Sequence, residues 1–283
     1  MVVTTGEWLT PVADALAPAM VGGSARVIAG HAYGVKVGAF ARGQLQFECG
    51  GVLIDLEWML RVAHRTEYQP TGTYFSSVDS LGVIFGQADL SAVITGPNEL
   101  LAFSERIYRH PHYDSFTLEI DIALVRLETP VSPAHAATIP IYDFGRLADG
   151  DPAVVAGWGA TQTGGYTTDK SMGAEVALDL TCVGWPAVMS PWNDDAHLCA
   201  SNIPTSFCQG DSGGPLVVNV GCITSLIGLV SFNSAVGFWV ARARPDVHTR
   251  VSTYVEWIES LTGSLWQTVS VDASETTVVT RSG

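Results

Sequence analysis

A serine in a glycine-rich segment is the residue of this chain best suited to covalent chemistry. Ser212 lies in the sequence Gly210-Asp211-Ser212-Gly213-Gly214, where glycines on both sides let the backbone turn tightly. Such a turn exposes the hydroxyl and points backbone N–H groups at one place. Nucleophilic catalysis needs an exposed oxygen of this kind and donors that stabilise an oxyanion. Ser212 is therefore the candidate nucleophile.

Two orders of partner residues along the chain would suit a serine nucleophile. The pattern Gly-x-Ser-x-Gly is also the nucleophile elbow of α/β-hydrolases, in which an acid and then a histidine follow the serine. Downstream of Ser212 the one histidine is His248, which is only two residues from Asp246. Strands and helices do not alternate along the sequence as that fold requires. The sequence therefore favours the order histidine, aspartate, serine, with His64 and Asp121 upstream as the candidates.

The elements that must position these residues are short strands. Apolar runs separated by turn residues extend over residues 27–250. Regular spacing of this kind indicates a β-sandwich or β-barrel. The clearest runs are Phe47–Ile54, Gly82–Phe85, Ile122–Leu127, Val154–Trp158, Glu175–Leu180, Leu216–Val220 and Ile223–Phe232.

One helix is predicted near the end of the chain. Thr253 and Glu256 have the spacing of a capping box, and Val255, Ile258 and Leu261 supply one apolar face. The residues after this helix are rich in Ser, Thr and Val, and we expect them to form a loose tail.

Composition excludes several classes of protein. The 283 residues include 14 Lys and Arg against 28 Asp and Glu, a net charge of −14, which argues against nucleic-acid binding. With 15% charged and 47% hydrophobic residues, the chain is not a disordered one. The uncharged stretch Ser212–Ala241 is broken by Gly, Pro and Asn, so we expect a buried hairpin there and no membrane span.

The five cysteines leave the redox compartment open. They are an odd number, they form no Cys-x-x-Cys pair, and no His/Cys cluster has zinc spacing. The sequence predicts no metal or other cofactor.

Taken in order, the motifs resemble those of the chymotrypsin/trypsin-like serine protease family over roughly residues 27 to 261. The resemblance implies two packed six-stranded antiparallel β-barrels and a C-terminal helix, an all-β fold with the active site between the barrels. The motifs are Phe47-Glu48-Cys49-Gly50-Gly51, Ala63-His64, His110-Pro111-His112-Tyr113, Asp121-Ile122-Ala123-Leu124, Gly157-Trp158-Gly159, Gly210-Asp211-Ser212-Gly213-Gly214-Pro215, Val230-Ser231-Phe232 and Tyr254-Val255-Glu256-Trp257-Ile258.

The resemblance also implies a division of the chain. Residues 1–26 would be a leader or activation peptide and residues 27–262 the protease domain, followed by a flexible tail at 263–283. Inside the protease domain, barrels at about 27–135 and 136–252 would precede a helix at 253–262.

The family's catalytic roles carry over to three residues. Ser212 would attack the scissile carbonyl, His64 would accept and return its proton, and Asp121 would orient His64. The backbone N–H groups of Gly210 and Ser212 would form the oxyanion hole. The implied function is a serine endopeptidase acting on proteins or peptides through an acyl-enzyme. The alternative is a catalytically silent homologue that acts as a binding or regulatory protein.

Activation and localisation are further implications of the resemblance. Family members are made as zymogens, in which cleavage frees an amine that pairs with the aspartate before the nucleophile, here Asp211. The best matching site is between Arg26 and Val27, although Ala29 stands where the family has glycine; the segment 20–23 is a second match without a preceding basic residue. An activating protease and protein inhibitors would be partners. The family implies secretion, yet residues 1–25 contain no Lys or Arg, so no signal peptide is predicted.

The primary specificity pocket gives a mixed expectation. Ser206, six residues before the nucleophile, matches the pocket base and favours large apolar side chains. Asp246 matches a second pocket segment and would accept Lys or Arg, unless a loop shift turns it into solvent. Asn233 would narrow the entrance, and Ser231 and Phe232 would complete the substrate-binding residues.

The cysteines depart from the family pattern. Cys182 and Cys199 match a family disulfide, whereas Cys49 would be free because Arg65 stands in place of its usual partner. Cys208 lacks its usual partner, and a bond to Cys222 is one alternative. The loop that binds calcium in some relatives, residues 86–89, has Gln where a carboxylate is expected, so no metal is predicted.

Overall fold

A computed structural model of the protein describes most of the chain with gaps. The described residues are 33–41, 44–68, 76–77, 80–86, 89, 100–142, 147–160, 171–186, 192–201, 206–233, 244–263, 265–271 and 276–282. The predicted leader at 1–26, the candidate cleavage site at Arg26 and Val27, and the second match at 20–23 lie outside them.

Six strands of the first half close into an antiparallel barrel in the order β1-β2-β3-β8-β7-β6. In the strand β1, Val35 and Val37 point into the barrel core, as the two-residue period of a strand requires. The short strands β4 and β5 pair with each other. The strands are β1 (Gly34–Ala41), β2 (Gln44–Leu53), β3 (Trp58–Arg61), β4 (Glu67–Tyr68), β5 (Ser76–Ser77), β6 (Leu81–Phe85), β7 (Leu100–Arg109) and β8 (Ala123–Leu127).

A second closed antiparallel barrel follows, in the order β10-β11-β12-β15-β14-β13 with β13 pairing again with β10. The strand β11 alternates buried Met172, Ala174, Val176 and Leu178 with more exposed residues, so one face fills the barrel. The strands are β9 (Ile141–Tyr142), β10 (Pro152–Gly157), β11 (Met172–Asp179), β12 (His197–Ser201), β13 (Pro215–Val220), β14 (Ile223–Phe232) and β15 (Asp246–Arg250).

Each barrel has its own apolar core, and a third core joins them. This joint core combines Leu60 and Leu124 of the first barrel with Leu226 and Leu229 of the second and with Ile258 of the C-terminal helix. The fold is therefore two packed six-stranded antiparallel barrels and one short helix, which confirms the predicted fold class. Among the described residues, no helix is long and apolar enough to span a membrane.

The helix differs from the prediction at its start. A 3-10 turn, Val251–Tyr254, precedes α1 (Val255–Thr262), whose N-cap is Tyr254 without a side-chain hydrogen bond. The prediction of a capping box at Thr253 and Glu256 is therefore wrong. Because the turn places Thr253 outside the helix end, its hydroxyl donates instead to the carbonyl of Asp195. Gly263 ends the helix in a left-handed conformation, with φ of 69°.

The segment expected to be a loose tail contains two strands. The strands β16 (Leu265–Val271) and β17 (Thr276–Ser282) pair antiparallel, and β16 also pairs with β9 in parallel. Thr and Val suit an extended conformation, and the free edge of β9 supplies the hydrogen-bond partners that a tail by itself lacks.

The cysteines agree with the family pattern in one pair. Cys182 and Cys199 form a disulfide with a Cα–Cα distance of 5.2 Å. Cys49 is buried and in no disulfide, as the sequence predicts, and neither Cys208 nor Cys222 is disulfide-bonded. The alternative of a Cys208–Cys222 bond is therefore wrong for this structure; Cys222 lies in the exposed turn between β13 and β14.

Candidate active site

The ends of two neighbouring strands bring His64 and Asp121 together. His64 lies on the 3-10 turn after β3, and Asp121 lies two residues before β8, which pairs with β3. The Nδ1 atom of His64 is 2.7 Å from Oδ2 of Asp121. The backbone N–H of His64 donates to Oδ1 of the same carboxylate at 2.8 Å. These two bonds fix the direction of the imidazole ring, so Nε2 is the nitrogen that remains for another partner.

The second barrel holds the same carboxylate from the other side. The hydroxyl of Ser231 on β14 donates to Oδ2 of Asp121 at 2.5 Å. The hydroxyl of Thr249 on β15 donates to the Asp121 carbonyl at 2.8 Å. Sequence reasoning assigned Ser231 to substrate binding and missed both contacts, because nothing local in the sequence predicts contacts between residues 110 or more positions apart.

These contacts determine the charge of Asp121. Burial opposes ionisation, since the side chain is 2% exposed. The charge of His64 and the hydrogen bonds from His64 and Ser231 outweigh burial and hold the pKa of Asp121 below its usual value. A carboxylate that stays ionised beside an imidazole can stabilise its cationic form.

The turn around Ser212 has the conformation that its glycines permit. Gly210 and Gly213 adopt φ values of 98° and 81°, a region that side chains rarely enter. The N–H groups of Asp211, Gly213 and Gly214 each donate to a backbone carbonyl. Within the described segments, no acceptor takes the N–H groups of Gly210 and Ser212. These are the two N–H groups that the sequence predicts to bind an oxyanion.

Close contacts place this turn against the segment that carries His64. The N–H of Gly50 on β2 donates to the Ser212 carbonyl at 2.9 Å. A Cβ at Gly50 would lie 2.9 Å from the backbone nitrogen of Gly214, so a side chain there would push the turn away. A Cβ at Gly213 would lie 3.6 Å from Val62, two residues before His64. The turn that carries Ser212 therefore lies beside the segment that carries His64, where the two barrels touch.

Asp211 points into the protein beneath the turn and is 0% exposed. Its carboxylate accepts the N–H groups of Gly159 at 2.7 Å and Cys208 at 2.9 Å. A side chain at Gly157 or Gly159 would collide with that carboxylate. Burial raises the pKa of Asp211 to about 6, although the two backbone bonds and the charge of Lys36 lower it.

The predicted pocket residues Ser206 and Asp246 are in contact. The Ser206 hydroxyl donates to Asp246 at 2.8 Å, and the N–H of Phe207 donates to the other carboxylate oxygen at 3.2 Å. Asp246 is 4% exposed, so the alternative that it turns into solvent is wrong. The side chain of Asn233 donates to the Phe207 carbonyl at 3.0 Å and so lies beside Ser206, the predicted base of the pocket.

Neutral donors surround Asp246. Burial raises its pKa to about 7, and the hydrogen bonds from Ser206, Phe207 and Asn233 only partly oppose this. Phe232 lies apart from this group, because its ring packs edge-on against Trp185 beside the disulfide. Across the described residues, no group of three or more His, Cys, Asp or Glu side chains could hold a metal ion.

Comparison with known proteins identifies the family. The model of the Trypsin family matches residues 20–258. The chain belongs to the trypsin family. Anionic trypsin of Bos taurus is 31% identical over 215 residues, which cover 75% of this chain and 78% of that protein. Chymotrypsin-like elastase family member 1 of Homo sapiens is 31% identical over 223 residues, 76% of this chain and 81% of that protein. Anionic trypsin of Canis lupus familiaris is 32% identical over 216 residues, with shares of 75% and 78%. The trypsin family is one of serine proteases, in agreement with the sequence resemblance.

Proposed function

We propose that the protein is a serine endopeptidase that cleaves peptide bonds through an acyl-enzyme. One observation carries the proposal: the carboxylate of Asp121 is held between His64 and Ser231 at 2.7 and 2.5 Å. A merely structural aspartate does not need an imidazole on one side and a fixed hydroxyl on the other. The turn of Ser212 is packed against the segment carrying that imidazole.

In the proposed reaction Ser212 is the nucleophile. Its hydroxyl oxygen bonds to the scissile carbonyl carbon while His64 takes the hydroxyl proton. The imidazolium then gives this proton to the leaving amine as the peptide bond breaks. A water molecule repeats the two steps on the acyl-enzyme and releases the second product. Asp121, ionised throughout, orients the ring and stabilises its positive charge.

The N–H groups of Gly210 and Ser212 form the proposed oxyanion hole. The carbonyl oxygen gains negative charge when Ser212 attacks, and two preorganised donors are stronger stabilisers of this charge than mobile water. Removing one such donor typically lowers the rate by about 10²–10³.

Reaction with a fluorophosphonate probe after treatment with trypsin tests the catalytic proposal. We expect covalent labelling at Ser212 in the parent protein and no labelling in Ser212→Ala. Only the parent protein should turn over peptide substrates. Folded protein that neither reacts with the probe nor cleaves a peptide library would favour the alternative, a silent homologue that binds proteins.

We propose mixed primary specificity, in which Lys and Arg are accepted and Leu and Phe are also cut. Ser206 leaves room for apolar side chains, and Asp246 contacts Ser206 at the same place. A buried carboxylate surrounded by neutral donors gains from a substrate cation, because an uncompensated buried charge is costly. Substrates are expected to be proteins or peptides.

We further propose that the chain is a zymogen cleaved after Arg26 by an activating protease outside the cell. The new amine of Val27 would pair with Asp211. The Cys182–Cys199 disulfide is consistent with an oxidising compartment. Mass spectrometry of the most active species should find Val27 at its N-terminus, whereas full activity with residues before Val27 still attached would contradict this.

A further inference from the structure

Two opposite charges are fully buried behind the Ser212 turn. Lys36 is 1% exposed and Asp211 is 0% exposed. An isolated buried charge is strongly unfavourable, so buried ions are normally compensated by an opposite charge or by hydrogen bonds. The sequence predicts an ion-pairing role for Asp211 but not for Lys36, because a single lysine in an apolar strand resembles an ordinary strand-edge residue.

The direction of β1 brings Lys36 to the face between the barrels. Val35 and Val37 point into the first barrel, so Lys36 must point out of it. Its partner in the sheet is Gly50, whose N–H bonds to the Ser212 carbonyl. No side chain at Gly50 stands between β1 and the turn. The strand β1 also approaches β10, whose last residue lies against the carboxylate of Asp211.

We propose that Lys36 is an internal counter-ion of Asp211 and positions the oxyanion hole from within the first barrel. Asp211 lies between Gly210 and Ser212, whose N–H groups form the proposed hole. When its carboxylate is ionised and held, the backbone bonds from Gly159 and Cys208 keep the turn in place. The inference rests on the proposed function and extends it. Lys36 supplies part of the positive charge that holds Asp211 and orders the turn. Cleavage after Arg26 therefore increases activity by less than it would without Lys36.

Asp211 also lies near other titratable groups. The charge of Asp211 raises the pKa of Asp246 and that of the Cys208 thiol. The charge of Lys36 in turn lowers the pKa of Asp211. Loss of the lysine charge therefore raises the pKa of Asp211, and the turn loses its ionised carboxylate as pH falls. Lys36 is a positioning residue, since it acts through Asp211.

The first test is the pH profile of kcat in Lys36→Met, with Arg126→Met as the matched control. Arg126 is a half-exposed cation on β8 that pairs with Glu57 and Glu105. In the uncleaved chain, where the pKa of Asp211 is about 6, a rise of about one pKa unit should lower kcat of Lys36→Met about fivefold at pH 6 and less than about 1.2-fold at pH 8. Arg126→Met should keep the profile of the parent protein, and Lys36→Arg should largely restore it. A folded Lys36→Met with an unshifted profile would overturn the proposal.

The second test does not need turnover and so separates this inference from the proposed function. Thermal unfolding is measured for Lys36→Met, Asp211→Asn and the double variant of the full chain. A direct interaction makes the double variant more stable than the two single losses add up to. Additive losses would overturn the inference. If Lys36→Met by itself does not fold, folding of the double variant supports the pairing of Lys36 with Asp211. If neither Lys36→Met nor the double variant folds, Lys36 serves packing alone and the proposal is rejected.

Discussion

Two regions of the candidate site each contain a buried aspartate, and the pKa values of the two aspartates are shifted in opposite directions. Asp121 beside the histidine is 2% exposed and Asp246 in the pocket is 4% exposed. The pKa of Asp121 is lowered, whereas the pKa of Asp246 is raised to about 7. Burial raises the pKa of both groups. The difference comes from the partners, because Asp121 has an imidazole that can carry positive charge and Asp246 has only neutral donors.

We propose that the two aspartates have different roles. In the proposed mechanism Asp121 must be ionised before the substrate arrives, and His64 supplies the opposite charge. In the proposed pocket, Asp246, whose pKa is raised to about 7, would become ionised beside a cation that the substrate brings. The following predictions would break or sharpen this distinction.

The largest effect is expected when the charge of the catalytic-side aspartate is removed. Asp121→Asn should lower kcat about 10⁴-fold, because the amide favours the wrong tautomer of His64 and cannot stabilise its cation. The loss should be the same for Lys and Phe substrates in steady-state assays. Asp114→Asn, at an exposed turn, is the control and should keep full activity. A loss confined to one substrate class would contradict the assignment.

A smaller and selective effect is expected in the pocket. Asp246→Gly should lower kcat/KM for Lys and Arg substrates about 10²-fold and spare or improve apolar ones, since only the charged side chain loses its partner. Peptide-library profiling of both proteins measures the ratio, and Asp246→Asn separates lost charge from lost volume. If the Lys-to-Phe ratio is unchanged, Asp246 does not take part in specificity.

Ser231 offers a finer test of how the Asp121 carboxylate is held. Ser231→Ala removes one hydrogen bond to an ionised group and should lower kcat about tenfold, with a raised pKa of Asp121. Ser225→Ala is the matched control on the same strand, because the Ser225 hydroxyl is buried and has no hydrogen-bond partner among the described residues. Equal losses in the two variants would point to packing of β14 instead.

The smallest effect is a dependence of specificity on pH. Asp246 gains charge as pH rises through about 7, so the preference for Lys over Phe should increase about fivefold from pH 6 to pH 7 and less than about twofold from pH 7 to pH 8. The ratio of the two kcat/KM values cancels any pH dependence that the two substrates share. The ratio should be flat in Asp246→Asn. A preference that falls with rising pH would reverse the proposed role.

The sequence by itself determined the features that depend on neighbouring residues. The glycines around Ser212 specified its turn, and the apolar runs at 122–127, 154–158 and 216–232 specified strands near their observed positions. The order of motifs identified the family and its two barrels. The helix start was wrong because a 3-10 turn and an α-helix begin with the same local pattern, and tertiary packing decides between them. The strands β16 and β17 were predicted as a loose tail because their pairing with each other and with the edge of β9 leaves no local signal in the sequence.

Only the tertiary structure decided which distant groups touch. Ser231 and Asp121 lie 110 positions apart, and Asp246 and Ser206 lie 40 apart. Lys36 of the first barrel lies near enough to Asp211, in the segment before β13, for its charge to lower the pKa of that carboxyl. Sequence patterns report backbone periodicity and local conformational freedom, whereas these contacts depend on strand register and on how two closed barrels pack. The sign of each aspartate's pKa shift depends on the same contacts, because burial gives both the same tendency and the partners decide the outcome.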